Sequence, residues 1–202
     1  TDLKNIRKAI KPNTKAILIE TPSNPLLDVT DIRGVVKLAK QHNLITIVDN
    51  TFMTPYLQRP LDFGVDIVIH SATKFLSGHH DLLAGVAVTN DEKLAEKIQF
   101  AQTAAGALIS PFDSWLLMRS LKTLKLRVEA AQKNTEKLIE FFQKHDAVDK
   151  IYYPTLDTNK GKKIHESQAT GGGAVFSFTL KDDSKVKTFF ESLNVAIFAA
   201  SL

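Results

Sequence analysis

The sequence has 202 residues, 44% of them hydrophobic and 24% charged, with 26 basic against 22 acidic side chains and no cysteine. These figures suit a globular protein with a full core in one or two domains. They exclude disulfides, zinc–thiolate sites and a catalytic thiol. The net charge of +4 is mild and spread along helix-like segments, so no basic stripe for nucleic acid is present, and no apolar run approaches the ~20 residues of a membrane span. The absence of cysteine fits a reducing compartment, and a cytoplasmic location is expected.

In chain order, the apolar run AILIE at 16–20 reads as a strand, and TPSNP then breaks it. A helix follows, with Thr30 or Asp31 as N-cap and Ile32, Val35, Val36, Leu38 and Ala39 at helical spacing. LITIV at 44–48 and VDIVIH at 65–70 are further strands, and GVAVT at 85–89 a fourth. Continuous apolar strands interleaved with a helix predict a mostly parallel sheet covered on both faces. Residues 111–145 read as one long helical stretch, with Leu117, Leu121, Leu124 and Val128 on a buried face. The last part changes character: strands at 148–154, 174–180 and 195–201 and an amphipathic helix over 184–193 predict a smaller α+β unit. The expected division is 1–147 for part of the large domain and 148–202 for the start of the small one.

The chemistry sits at the strand ends. Just past three apolar runs come Glu20 with Asn24, then Asp49, then Ser71, Thr73 and Lys74. In open parallel sheets ligands bind outside the carboxyl ends of the strands. One crevice would therefore hold a carboxylate, two hydroxyls and an amine. A sheltered lysine amine can attack a carbonyl. Hydroxyls beside it can bind phosphate, and a carboxylate can pair with a protonated ring nitrogen. Pyridoxal 5'-phosphate presents an aldehyde, a phosphate and a pyridine, the three groups that set would take. Three other readings stay open on residue type alone: Lys74 as a solvated loop residue, a lysine enzyme of aldolase type without cofactor, and an inert scaffold.

Other motifs read as structural. No GxxxxGK[ST] phosphate loop is present. His79, His80 and Asp81 are adjacent and diverge, so no metal site is expected. The glycines at 171–173 precede a strand and read as a tight turn. Trp115 with Phe112 reads as core, and Arg119 and Arg127 as solvated.

The segments ETPSNP, VDNTFMTPYLQRPLDFGVDIVIHSATKFLSGHHDLLAG and RSLKTL resemble the Cys/Met-metabolism, pyridoxal-phosphate-dependent (trans-sulfuration) enzymes, and the resemblance runs through essentially the whole chain. It implies an aspartate-aminotransferase-like (fold type I) domain followed by part of a smaller α+β domain. It implies that Lys74 holds the cofactor and moves protons at the substrate, and that Asp49 pairs with the pyridine nitrogen. Ser71 and Thr73 would bind the phosphate, and Asn24 would lie near the cofactor's 3'-oxygen and the substrate carboxylate. Thr51 would contact the ring region, and Ser201 would stand near the lysine and the substrate carboxylate. The implied partners are a sulfur amino acid, such as cystathionine or an activated homoserine, and further copies of the chain as a dimer of dimers. The expected reaction is β-elimination from cystathionine to homocysteine, pyruvate and ammonia, with γ-replacement or γ-elimination as alternatives. Both ends are expected to be cuts within a longer enzyme, with the rest of the site beyond them or on a neighbouring subunit.

Overall fold

The computed structural model describes residues 2–197 and 199. The chain opens with α1 (Leu3–Ala9), β1 (Ala16–Glu20), α2 (Ile32–Gln41), β2 (Ile45–Asp49), α3 (Thr54–Leu57), β3 (Ile67–Ser71) and β4 (Gly85–Val88). The strands form one sheet in the order β1-β2-β3-β4. β1, β2 and β3 run parallel, and β4 is antiparallel to β3. The mostly parallel α/β sheet expected from the sequence is therefore present.

Its core follows from the apolar periods. Asp31 caps α2, its Oδ1 accepting from Gly34 N–H at 3.0 Å. The cap sets the helix phase so that Ile32, Val35, Val36 and Ala39 bury against Ile17, Ile19, Val48 and Val68 of the strands. Alternation along a strand sends side chains to opposite faces. Register pairs Glu20 with Asp49 and Asp49 with Ile69. Asp49 and Ser71 thus share one face, while Val48, Val68 and His70 share the other.

Three further helices follow: α4 (Glu92–Ala105), α5 (Pro111–Leu121) and α6 (Leu124–Gln143). The single helical stretch expected over 111–145 is two helices. They part at Lys122 and Thr123, where Thr123 Oγ1 donates to Ser120 O at 3.1 Å. A hydroxyl that bonds back to the preceding turn competes with regular helical pairing. The predicted buried face is kept on α6, where Leu124 and Val128 are buried, and only in part on α5, where Leu117 packs half-buried against the same cluster and Leu121 is exposed. Trp115 and Phe112, expected in the core, are 55% and 65% exposed. α5 turns them outward, where Trp115 meets Phe112 at 5.9 Å between ring centroids and the Arg119 guanidinium at 5.9 Å.

β5 (Val148–Tyr152), α7 (Lys162–Gln168), β6 (Ser177–Leu180) and α8 (Val186–Glu191) complete the described elements. β5 and β6 make their own antiparallel sheet. Phe178 stacks on Phe142 of α6 at 4.6 Å, seating this sheet on the long helix. Gln168 of α7 ties back to α2: its Oε1 accepts from Ile32 N–H at 3.2 Å, and its Nε2 donates to Thr30 O at 3.0 Å. The glycine turn before β6 packs as expected. A Cβ on Gly172 would meet the Tyr153 ring at 2.4 Å, and Gly173 has φ +83°. Tyr153 Oη donates to Gly173 O at 2.8 Å. The strand expected over 195–201 is absent from 195–197, and Ser201 lies outside the described residues. Among the described residues, no helix is long and apolar enough to cross a membrane.

Candidate active site

The ends of β2 and β3 are joined by side chains where their ladder stops. Thr51, two residues past β2, donates its hydroxyl to Asp49 Oδ1 at 2.6 Å, and its N–H donates to the same oxygen at 2.9 Å. The Thr51 hydroxyl in turn accepts the backbone N–H of Ser71 at 2.8 Å. One hydroxyl therefore fixes the aspartate and the start of the next loop together. It occupies Oδ1 only, and Oδ2 of Asp49 has no hydrogen-bond partner among the described residues. A carboxylate held on one oxygen and open on the other is prepared to accept a further N–H.

Residues 71–78 leave β3 as a turn. Lys74 N–H donates to Ser71 O at 3.1 Å and Gly78 N–H to Lys74 O at 2.7 Å. Ser77 Oγ reaches the carbonyls of Thr73 at 3.1 Å and Lys74 at 3.3 Å. Beneath the turn, Ala72 and Leu76 bury against Met53, Leu57, Leu124 and Val128. Lys74 is half-buried, and among the described residues its ammonium has neither a hydrogen bond nor an ion pair. The Ser71 hydroxyl is equally unengaged.

Thr73 differs. Its hydroxyl accepts from Ala84 N–H at 3.0 Å and donates to Ala84 O at 3.3 Å. It staples the lysine turn to the segment entering β4, and an anion would have to draw its proton from that long bond. Asn24 is exposed at the β1 end, its N–H donating to Glu20 Oε2 at 3.2 Å. Glu20 stands beside Asp49 in register. The structure thus brings Asp49, Thr51, Ser71, Thr73 and Lys74 to one end of the sheet, with Asn24 on the neighbouring strand end.

Two contributors escaped the sequence reading. Arg127, expected to be solvated, donates from Nη1 to Phe75 O at 2.7 Å and from Nη2 to Leu76 O at 3.3 Å. Its signal was position: it lies three residues after Leu124 and beside Val128, within the apolar stripe of α6. Tyr56 of α3 donates its hydroxyl to Glu129 of α6, which raises the tyrosine above its usual pKa. On the opposite face of the sheet, His70 is buried and held below its usual pKa by loss of water. Among the described residues, no group of three or more His, Asp or Glu is placed to hold a metal ion.

An unpaired half-buried amine, a half-engaged carboxylate and a free hydroxyl at one end of the sheet fit the aldehyde, pyridine nitrogen and phosphate of pyridoxal phosphate. Comparison with known proteins bears on the same chemistry. A profile of the Cys/Met metabolism PLP-dependent enzymes matches residues 1–202. Cystathionine beta-lyase MetC of Bacillus subtilis (strain 168) is 53% identical over all of this chain and 52% of its own length. Cystathionine gamma-synthase of Haemophilus influenzae is 47% identical over 98% of this chain and 49% of its own. The crystal structure of cystathionine gamma-lyase from Lactobacillus plantarum complexed with L-serine superposes with a TM-score of 0.97. It is 48% identical and covers 100% of this chain and 53% of that one. The chain spans about half the length of the curated relatives it matches.

Proposed function

The chain belongs to the Cys/Met metabolism PLP-dependent enzymes, and from that membership we propose that it is part of a carbon–sulfur lyase that cleaves cystathionine at the β-carbon. The observation that carries this reading is the placement of Lys74, Asp49 and Ser71 at one end of the sheet, each with an unengaged polar group. Support for β- over γ-chemistry comes from the 53% identity to one beta-lyase, against 47% for a gamma-synthase and 48% for a gamma-lyase.

Bound pyridoxal phosphate supplies an electron sink that stabilises negative charge at the substrate Cα. This chain's residues do the rest. Lys74 Nζ would hold the cofactor through its aldehyde, and its amine would carry the proton removed from the substrate Cα. Asp49, with Oδ2 open, would pair with the ring nitrogen and favour its protonated form, and Thr51 holds that carboxylate in place. Ser71, with Thr73, takes the phosphate. Asn24 would lie near the substrate carboxylate; Ser201, expected at the same group, lies outside the described residues. The substrate is a sulfur amino acid, and the working form is an assembly of several copies.

The test uses the full-length protein. Addition of pyridoxal phosphate should give a visible absorption band, and borohydride should fix one cofactor mass on Lys74. Cystathionine should then yield homocysteine, pyruvate and ammonia in equal amounts, with one water consumed. Cysteine with 2-oxobutyrate would instead assign γ-elimination. No band and no mass on Lys74 would refute the reading.

A further inference from the structure

We propose that Arg127 is the positioning residue that fixes the turn carrying Lys74, so that the direction of the amine is set from α6. The inference rests on the reading of Lys74 as the cofactor-holding lysine, and its test separates the two.

The turn is anchored at its start by β3 and by Ser71 N–H on Thr51. Its far end has no strand to hold it, and there the guanidinium stands. Nη1 donates to Phe75 O at 2.7 Å, the carbonyl one residue past Lys74, and Nη2 donates to Leu76 O at 3.3 Å. The same group reaches back to its own helix junction, with Nη2 on Ser120 O at 3.0 Å and Nε on Thr123 Oγ1 at 3.1 Å. All three nitrogens are engaged. Among the described residues, Arg127 makes no ion pair with a carboxylate, so its charge is spent on neutral oxygens. A charged donor bonds a carbonyl more strongly than a neutral one, and a rigid fork sets two acceptors at fixed separation where an ammonium would not.

The turn is shaped to receive this group. A Cβ on Gly78 would lie 1.8 Å from Arg127 Nη1, and Gly78 has φ +66°. Burial lowers the pKa of the guanidinium without bringing it near neutrality. Ser120 and Thr123, at the break between α5 and α6, offer a carbonyl and a hydroxyl to the same fork.

The experiment compares wild type, Arg127→Gln, Arg127→Lys and Arg33→Gln in the full-length protein. Arg33 also bonds a distant carbonyl, Ser167 O at 3.1 Å, and serves as the control for general destabilisation. In the cofactor-free protein, amide exchange at Lys74 and Gly78 should rise about tenfold in Arg127→Gln, confined to residues 71–78. The rate at which pyridoxal phosphate is captured on Lys74, fixed by borohydride and read by mass, should fall about 100-fold. Arg127→Lys should lie closer to Arg127→Gln than to wild type. Arg33→Gln should match wild type in both readouts. A folded Arg127→Gln with wild-type exchange and capture would overturn the proposal. If that variant does not fold, Thr123→Val, which removes the Nε acceptor together with the hydroxyl's bond to Ser120 O, is read instead: exchange raised about threefold at residues 71–78 supports the proposal, and no change there overturns it. A wild type that captures no cofactor on Lys74 refutes the cofactor reading, while the exchange data still decide the role of Arg127.

Discussion

Replacing Thr51 by Val tests whether one hydroxyl joins the two halves of the candidate site. The substitution keeps the shape and removes Oγ1. The Ser71 N–H at 2.8 Å loses its acceptor, and an unmade bond in a half-buried position costs about 1–3 kcal/mol. Asp49 loses its 2.6 Å hydroxyl donor, a bond to a charged group worth about 1.5–3 kcal/mol. Thr51 N–H still serves the same carboxylate oxygen at 2.9 Å, so the summed loss is taken at about 2–4 kcal/mol. With a urea slope of about 2 kcal/mol/M, the unfolding midpoint should fall by roughly 1–2 M. Thr51→Ser retains the oxygen and sheds one buried methyl, about 1 kcal/mol, and should fall by about 0.5 M. A midpoint for Thr51→Val equal to or above that of Thr51→Ser would show that the hydroxyl does not hold the site together.

The remaining predictions concern the second half of the chain and pH. Gly172→Ala would drive a Cβ to 2.4 Å from the buried Tyr153 ring and should cost about 1–3 kcal/mol. Tyr153→Phe loses only the bond to Gly173 O, about 1 kcal/mol; thermal unfolding should rank Gly172→Ala below it. His165 is buried, with Nε2 on Gly171 O and a bare, buried Nδ1. Burial holds its pKa below the usual 6.5. The unfolded chain therefore binds its proton at higher pH than the folded one, and stability present above about pH 6.5 is lost as the pH falls below it. The urea midpoint should drop between pH 7.5 and 5.5. His165→Asn should flatten that fall; His70, buried and shifted the same way, accounts for a remainder that His70→Asn removes.

The sheet was legible because its strands are unbroken apolar runs, and a run buried on both faces has few other places to go. The candidate site was legible for a related reason: polar residues that follow parallel apolar runs emerge at one edge of the sheet, which puts Asp49 and Lys74 at the same end. What escaped was set by contacts remote in sequence. Thr123 looks like any helical threonine until its hydroxyl is found on Ser120. Arg127 looks solvated until the carbonyls of a turn far up the chain arrive beneath it. Residues 92–105 form a helix with no buried residue, so its pattern offered no core face to read. Trp115 misled because an aromatic amid leucines reads as core, and on α5 it faces outward.

Arg127 and Phe75 are 52 residues apart, and that separation has a meaning in time. At about 5–20 residues per second, a ribosome makes the lysine turn roughly 3–10 s before it makes the arginine that steadies it. Through that interval the turn is complete in composition but not in posture. On the proposal above, the lysine turn reaches its held form only after the long helix has been synthesised and laid down, so the turn is made before it is completed.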